Sequence, residues 1–416
     1  MHKSYQFFSI LLLVFGFTLS THAIDIPGVK GDGVHDDTAG LQALLDSRQS
    51  TIYLPAPPKH YLISEVLKIH SGQTLVVDRN AVIRTTDNSG AHLLTNADYE
   101  NGNQRITVIG GIWDGNNLTQ VREQRPHSKK INNSKMFLGV IMYFENVKNL
   151  RIDGVTFKDP EYFAFLAGNI EQFTIENITF DYNLARENMD GIHLVSNCHH
   201  GRIANLKGTT NDDLVALNAD EASSLGIKFG PITNIEIDGI WAENTHRAVR
   251  LLSCISPVKK IKISNIFGSY QYGAICLSNH NILPDCSGSR FEDISISGVY
   301  CTNSQPTWAQ QIRVYAPAVV TNLTISDCHR TEETATSDQI LVEEGAHVRW
   351  LSISNSTLEN KCNGNIVYLH NKGVIDALYL NGISLQGSEG KTVELLKNDG
   401  EIGAITETAI HNQGGK

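Results

Sequence analysis

After its first two dozen residues the chain has no apolar run approaching the roughly 20 residues a membrane-spanning helix needs. It has no Cys-x-x-Cys pair of the kind that binds zinc. Its seven cysteines, at 198, 254, 276, 286, 301, 328 and 362, are too few and too irregular for a disulfide framework. Cysteine at such positions is often a small buried hydrophobe. Cys276 and Cys286 are close enough in sequence to close a short loop, and the odd total leaves at least one thiol free. Basic residues are outnumbered, 34 Lys and Arg against 44 Asp and Glu, a formal charge of −10. That is a poor match for nucleic acid or an anionic membrane surface, and neither is expected as a partner. No phosphate-binding loop, catalytic Ser/His set or cofactor motif is present, so no cofactor and no metal are expected. The protein is expected to be a monomer.

Residues 1–23 read as a secretory signal. Lys3 gives a short basic start, Phe7–Phe17 an apolar run, and Thr21-His22-Ala23 a small-residue cleavage site. The mature chain is expected to be soluble and either secreted or periplasmic. Gly31-Asp32-Gly33-Val34-His35-Asp36-Asp37-Thr38 precedes an apolar helical face of Leu41, Leu44 and Leu45, with Asp37 or Thr38 suited to cap the helix. These aspartates are read as helix-capping, and the helix as a seal on one end of the fold.

From about residue 105 the chain repeats. Asn149-Leu150-Arg151-Ile152-Asp153-Gly154, Ile235-Glu236-Ile237-Asp238-Gly239-Ile240 and Ile261-Lys262-Ile263-Ser264-Asn265-Ile266 are three copies of one strand-and-bend unit. The period is about 25 residues, and a second set of short strands lies between the copies, as at 191–195, 214–218 and 248–252. Short alternating strands with Asn, Asp and Gly at the bends suit a coil that makes one wind per repeat. The expected fold is an all-β, right-handed parallel β-helix over residues 24–400, its winds about 4.8 Å apart. From Thr392 the pattern is lost, and residues 401–416 are expected to form a C-terminal cap and tail. A leucine-rich solenoid is the rival, but its leucine consensus is missing.

Stacked winds turn spacing into columns. Asp190, Asp213, Arg247, Gly273 and Gln310 form one outward column; His193, Ala216, Arg250, Cys276 and Arg313 form a second. Met189, Asp212, His246, Tyr272 and Ala309 precede the first. Asp190, Asp212 and Asp213 thus gather on neighbouring winds, although Asp212 and Asp213 can share a face only at the bend before the strand. Three crowded carboxylates cannot all stay ionised without partners, and a raised-pKa acid beside an ionised neighbour is what glycosidic-bond hydrolysis needs. A lone aspartate at such a bend would be read as a cap, but the set of three, followed by His246-Arg247 on the next wind, is read as catalytic. His193 either binds a hydroxyl or fills its column. Arg247 and Arg250 either pair with the acids or grip an anionic group. Trp308 either stacks on a sugar ring or covers the core.

These residues resemble the polygalacturonase family, glycoside hydrolase family 28. Asn188-Met189-Asp190, followed by Gly191, is similar to the family's Asn-Thr-Asp signature, and Asn211-Asp212-Asp213 to its Asp-Asp signature. Gly111-Ile112-Trp113-Asp114-Gly115 is similar to a structural Gly-x-Ile-Asp-Gly segment, and the Gly31–Thr38 stretch to secreted β-helix carbohydrate enzymes generally. The Gly-His-Gly signature is altered to Thr245-His246-Arg247. Arg-Ile-Lys is absent at the next wind, Gln311-Ile312-Arg313-Val314 being its nearest echo. Those two signatures hold the galacturonate carboxylate in the family. The resemblance implies a hydrolase acting on a pectin-like, acidic polysaccharide or oligosaccharide, with Asp212 as general acid, Asp190 and Asp213 positioning and deprotonating water, and inversion. Asn188, His193, His246, Arg247, Arg250, Tyr272, Trp308 and Arg313 are the candidate substrate-binding residues. Two alternatives stand: a polysaccharide lyase using Ca²⁺ held by the acids and an arginine base, and a β-helix that binds glycans without cleaving them.

Overall fold

The computed structural model describes residues 26–120, 140–221, 228–279, 288–388 and 390–413. The expected signal segment lies outside them. Every strand pairing is parallel, and long strands alternate with short ones along the chain, as in Phe165–Asp181, Ile192–Val195, His199–Gly208, Asp213–Asn218, Ile232–Thr245 and Arg247–Leu252. Each strand hydrogen-bonds the equivalent strand of the wind before and after it, giving a right-handed parallel β-helix. The short strands fall within a residue or two of the spans read from the repeat.

The core follows from register. On the long strands Ile152, Ile175, Ile203, Ile237, Ile263, Ile296, Ile325, Ile353 and Leu380 stand over one another through consecutive winds, all essentially inaccessible to solvent. On the short strands Ile192, Val215, Val249, Ile275, Ile312 and Ile340 form a second buried column, and Leu194, Leu217, Leu251, Leu277, Val314 and Val342 a third. Removing each such side chain from water is worth about 1.5–3 kcal/mol. The bends obey the same arithmetic. Gly154, Asn177, Asn205, Gly239, Asn265, Gly298, Asp327, Asn355 and Gly382 share one bend position, all with φ between +51° and +79°. Glycine has no Cβ to clash there, and Asn and Asp bear the left-handed backbone better than other side chains do.

Three expectations are corrected. Asp37 does precede the helix Thr38–Asp46, but its carboxylate does not cap it. It accepts instead from the backbone N–H of Lys30 (2.6 Å), Gly31 and Leu62, tying the incoming chain to a neighbouring strand, while Leu41 and Leu45 enter the core. Cys276 is a free buried thiol, so it closes no loop with Cys286, which lies outside the described residues; among the described residues it is Cys254 that is disulfide-bonded. Finally, the winding does not stop near 400. Val393–Asn398 pairs with Ile366–Asn371, and Glu401–Gln413 with Val374–Gly387. The inward slots of that last strand hold Glu407 and Asn412 beside Ile402, Ile405 and Ile410. No strand stacks beyond it among the described residues, so those slots are open enough to take polar side chains, and this blurred the alternation. No helix among the described residues is long and apolar enough to cross a membrane.

Candidate active site

The site is built where three short strands stack, Ile192–Val195, Asp213–Asn218 and Arg247–Leu252. Gly191 donates its N–H to the carbonyl of Asp213 (3.0 Å), which sets Asp190 beside the mouth of the next wind. Only glycine permits that approach: a Cβ at 191 would stand 2.4 Å from the Leu214 carbonyl oxygen and 2.8 Å from the Phe180 ring. The register places Asp213 beside Arg247, His193 beside Ala216, and Ala216 beside Arg250, as the columns require. Asp212 and Asp213 do meet at a bend. The Asp212 carboxylate folds back to accept the Asp213 N–H (3.0 Å), and the same residue accepts from Asn188 Nδ2 (2.7 Å) and faces His246 Nδ1 (3.1 Å). Asn188 itself sits at φ +57° on the preceding wind, and Asn211 Oδ1 holds the Met189 N–H, so the two bends brace each other.

The three carboxylates differ in environment. Asp213 is wholly buried and receives two guanidinium groups: Arg247 Nη1 hydrogen-bonds Oδ1 at 3.0 Å, and Arg250 Nη1 lies 2.9 Å from Oδ2 without aligning an N–H on it. Asp190 is also buried, and its Oδ2 meets His193 Nδ1 at 2.8 Å. Burial, then the charge on Asp212, pushes the Asp190 carboxyl well above the usual carboxylate range. Asp212 is the most open of the three, its side chain 15% exposed. Burial alone would raise it, but His246, Arg250 and Asn188 more than reverse this and hold it well below the usual range. Burial thus favours the protonated form at Asp190, and the donors around Asp212 favour its anion.

His193 sits inside its column, enclosed by protein. It is buried under the ring of Phe163, stacked at 4.1 Å and 11°, and both ring nitrogens are taken. Nδ1 meets Asp190, and Nε2 meets Glu221 Oε2 at 2.8 Å. Glu221 was missed by the sequence reading. Its one signal is an acidic pair, Asp220-Glu221, at the far end of the strand that begins with Asp213, and Asp220 is accounted for by the backbone N–H groups of Cys254, Ile255 and Ser256. Asn218 Nδ2 also donates to Glu221.

The remaining candidates divide. Tyr272 joins the site through His246, their rings edge-to-face at 4.5 Å. Arg313 lies on the Arg250 column with Cys276 between them. It pairs with Glu343 (Nε to Oε1, 2.8 Å) and carries the exposed Trp308 ring at 4.7 Å and the Tyr315 ring at 4.2 Å. Trp308 therefore does not cover the core. Arg247 and Arg250 take the first of their two expected roles, partners of an acid. Among the described residues no three His, Cys, Asp or Glu side chains are arranged as a metal cradle.

The profile of Glycosyl hydrolases family 28 matches residues 47–246, a segment that contains all three aspartates and ends at His246. Over that segment the chain resembles family 28. In structure it is similar to the A-module of mannuronan C-5 epimerase AlgE6 from Azotobacter vinelandii (15% identity, TM-score 0.61, covering 91% of this chain and 97% of that one). It is also similar to an endo-xylogalacturonan hydrolase from Aspergillus tubingensis (15%, 0.53, 87% and 93%) and to the tailspike protein of E. coli bacteriophage HK620 (12%, 0.60, 89% and 74%). At such identities the likeness is one of fold. No curated protein sequence matches the chain. The family 28 match takes in the two winds whose acids carry the resemblance, and it stops before Tyr272, Trp308 and Arg313.

Proposed function

We propose that the protein is a glycoside hydrolase that cleaves a polysaccharide or oligosaccharide by proton transfer between Asp190, Asp212 and the substrate, and that residues 1–23 export it. The observation that carries this reading is the opposed pair on adjacent winds, a buried carboxyl whose enclosure favours its neutral form and a more open carboxylate that Asn188 and His246 favour as the anion. Hydrolysis needs that division of labour: a neutral acid protonates the departing oxygen while an anion takes a proton from water. The resting charges support Asp190 as the acid and Asp212 as the base, the reverse of what the family resemblance implies for Asp212. Asp213, buried and held between two arginines, is suited to fixing those guanidinium groups beside the other acids.

A lyase reading is less well supported. Ca²⁺ at the acids would have to displace Arg247 and Arg250 from Asp213 and His246 from Asp212. A pectin-like acidic substrate remains the first class to test, on the strength of the family match.

The test is release of reducing ends from a panel of acidic and neutral polysaccharides, with product ultraviolet absorbance followed in parallel. Wild type should release reducing ends without forming an absorbing unsaturated product. Asp190→Asn and Asp212→Asn should each lose about a hundredfold or more in kcat. On an aryl glycoside whose leaving group needs no protonation, Asp190→Asn should recover most of its activity and Asp212→Asn little. Recovery by Asp212→Asn instead would restore the assignment implied by the family, and full activity in both variants would remove the site.

A further inference from the structure

We infer that Glu221 is a positioning residue for this site, holding His193 as an imidazolium that in turn orients Asp190. The inference rests on the hydrolase reading of Asp190 and deepens it. Three residues from three places in the chain form one line: Asp190 from the bend, His193 from the short strand after it, and Glu221 from beyond the end of the next short strand. The contacts at the two imidazole nitrogens are equal, 2.8 Å to Asp190 Oδ2 and 2.8 Å to Glu221 Oε2. Neither nitrogen is left to take up or release a proton to a ligand.

The ring is fixed from every side. Phe163 lies flat on it at 4.1 Å, and Leu166 is its backbone neighbour on the preceding wind. Asn218, which ends the strand of Asp213, donates to Glu221 and lies 3.0 Å from His193 Nε2. Charged groups around the ring are Asp190 at Nδ1, Glu221 at Nε2, and Arg250 two winds on, which acts on Glu221; Asp212 and Asp213 act on Asp190.

The chemistry follows from the acceptor count. A carboxylate only accepts, so Glu221 requires an N–H at Nε2. The negative charge of Glu221 favours a second proton on the ring at Nδ1, where it is donated to Asp190 Oδ2 and makes the ring a cation. Burial would strip that charge, but the charge on Glu221, and after it the hydrogen bond to Asp190, raise His193 to about 9, while His193 and Arg250 overcome burial to bring Glu221 down to about 2. With Oδ2 tied to a fixed donor, the Asp190 proton is left on Oδ1, in one orientation. An imidazole held this way behaves as the oriented ring of an acid–base relay does, although here it stands behind the acid and does not itself touch substrate.

The test is Glu221→Gln, which keeps the side chain's size and removes its charge. The His193 ring is followed by NMR across pH, its signal assigned by its absence in His193→Asn, and kcat and KM are measured over the same range. In wild type His193 should stay protonated to about pH 9. In Glu221→Gln its titration should fall by about two pH units, toward the ordinary histidine value. The alkaline limb of kcat should move down with it, kcat at neutral pH should drop about tenfold, and KM should change less than about twofold. Glu221→Asp, if folded, should restore part of the His193 titration. An unmoved His193 titration overturns the inference, as does a moved titration with an unmoved kcat profile. If wild type hydrolyses no glycan and His193 still moves, the hydrolase reading falls and the Glu221–His193 coupling stands.

Discussion

Arg250 separates two pictures of the site. Removing it by Arg250→Ala takes one of two guanidinium groups from a carboxylate with no solvent of its own. Opposite charges about 4 Å apart are worth about 4 kcal/mol at an effective dielectric constant near 20. Breaking a buried pair outright costs about 3–5 kcal/mol. Arg247 stays on Oδ1, and the Arg250 contact lacks an aligned N–H, so the loss should lie below that range, at about 2–3 kcal/mol. Urea unfolding of wild type, Arg250→Ala, Asp213→Asn and the double variant measures it. Once Asp213 is neutral, the arginine should no longer matter, giving a coupling of about 2 kcal/mol between the two sites. Turnover should fall alike on acidic and neutral substrates, because what is lost is the setting of Asp213 and not a grip on ligand. Additive stabilities, together with a KM that rises only for anionic substrates, would refute this and return Arg250 to substrate binding.

Stability should also follow pH through the His193–Glu221 pair. A histidine raised from 6.5 to about 9 contributes stability fully present below pH 6.5 and lost as pH rises through about 9. A carboxyl lowered from 4.5 to about 2 contributes stability present above pH 4.5 and lost as pH falls through about 2. Thermal unfolding should therefore show its highest Tm between about pH 4.5 and 6.5, and Glu221→Gln should flatten the alkaline fall; an unchanged fall would place its origin elsewhere. Gly191→Ala should cost about 3 kcal/mol or more, since its Cβ would meet backbone that cannot move aside; wild-type urea stability in that variant would refute the close approach.

Much of this molecule was legible because a β-helix converts spacing into neighbours. The column from His193 through Ala216, Arg250 and Cys276 to Arg313 needed only the repeat, and the observed register matches it residue for residue, while of the Asp190 column the register pairs Asp213 with Arg247. What register does not encode is where a long side chain turns after leaving its column. Arg247 and Arg250 could reach outward or back along the stack, and the buried charge on Asp213 decided it. Glu221 escaped for a related reason: it belongs to no column and reaches His193 across the end of a strand. Asp37 was placed correctly and given the wrong partners, since cap residues are recognised by position while their carboxylates go to whichever N–H groups most need an acceptor. The final strand escaped because its inward slots include Glu407 and Asn412.

The stacking of winds has a consequence for how damage spreads. In a linear array each unit touches only the unit before and the unit after, so its cooperativity behaves like that of a one-dimensional chain of coupled spins. Asp190, Asp213 and Arg247 occupy three consecutive units in the interior of that chain, far from both ends. Fraying of the exposed last strand, Glu401–Gln413, must melt every intervening unit before it reaches them. A substitution within those three units has no such insulation. The two ends of the solenoid are accordingly where change is tolerated, and the middle is where a single defect is shared at once by the acid, its anion and the arginines that hold them.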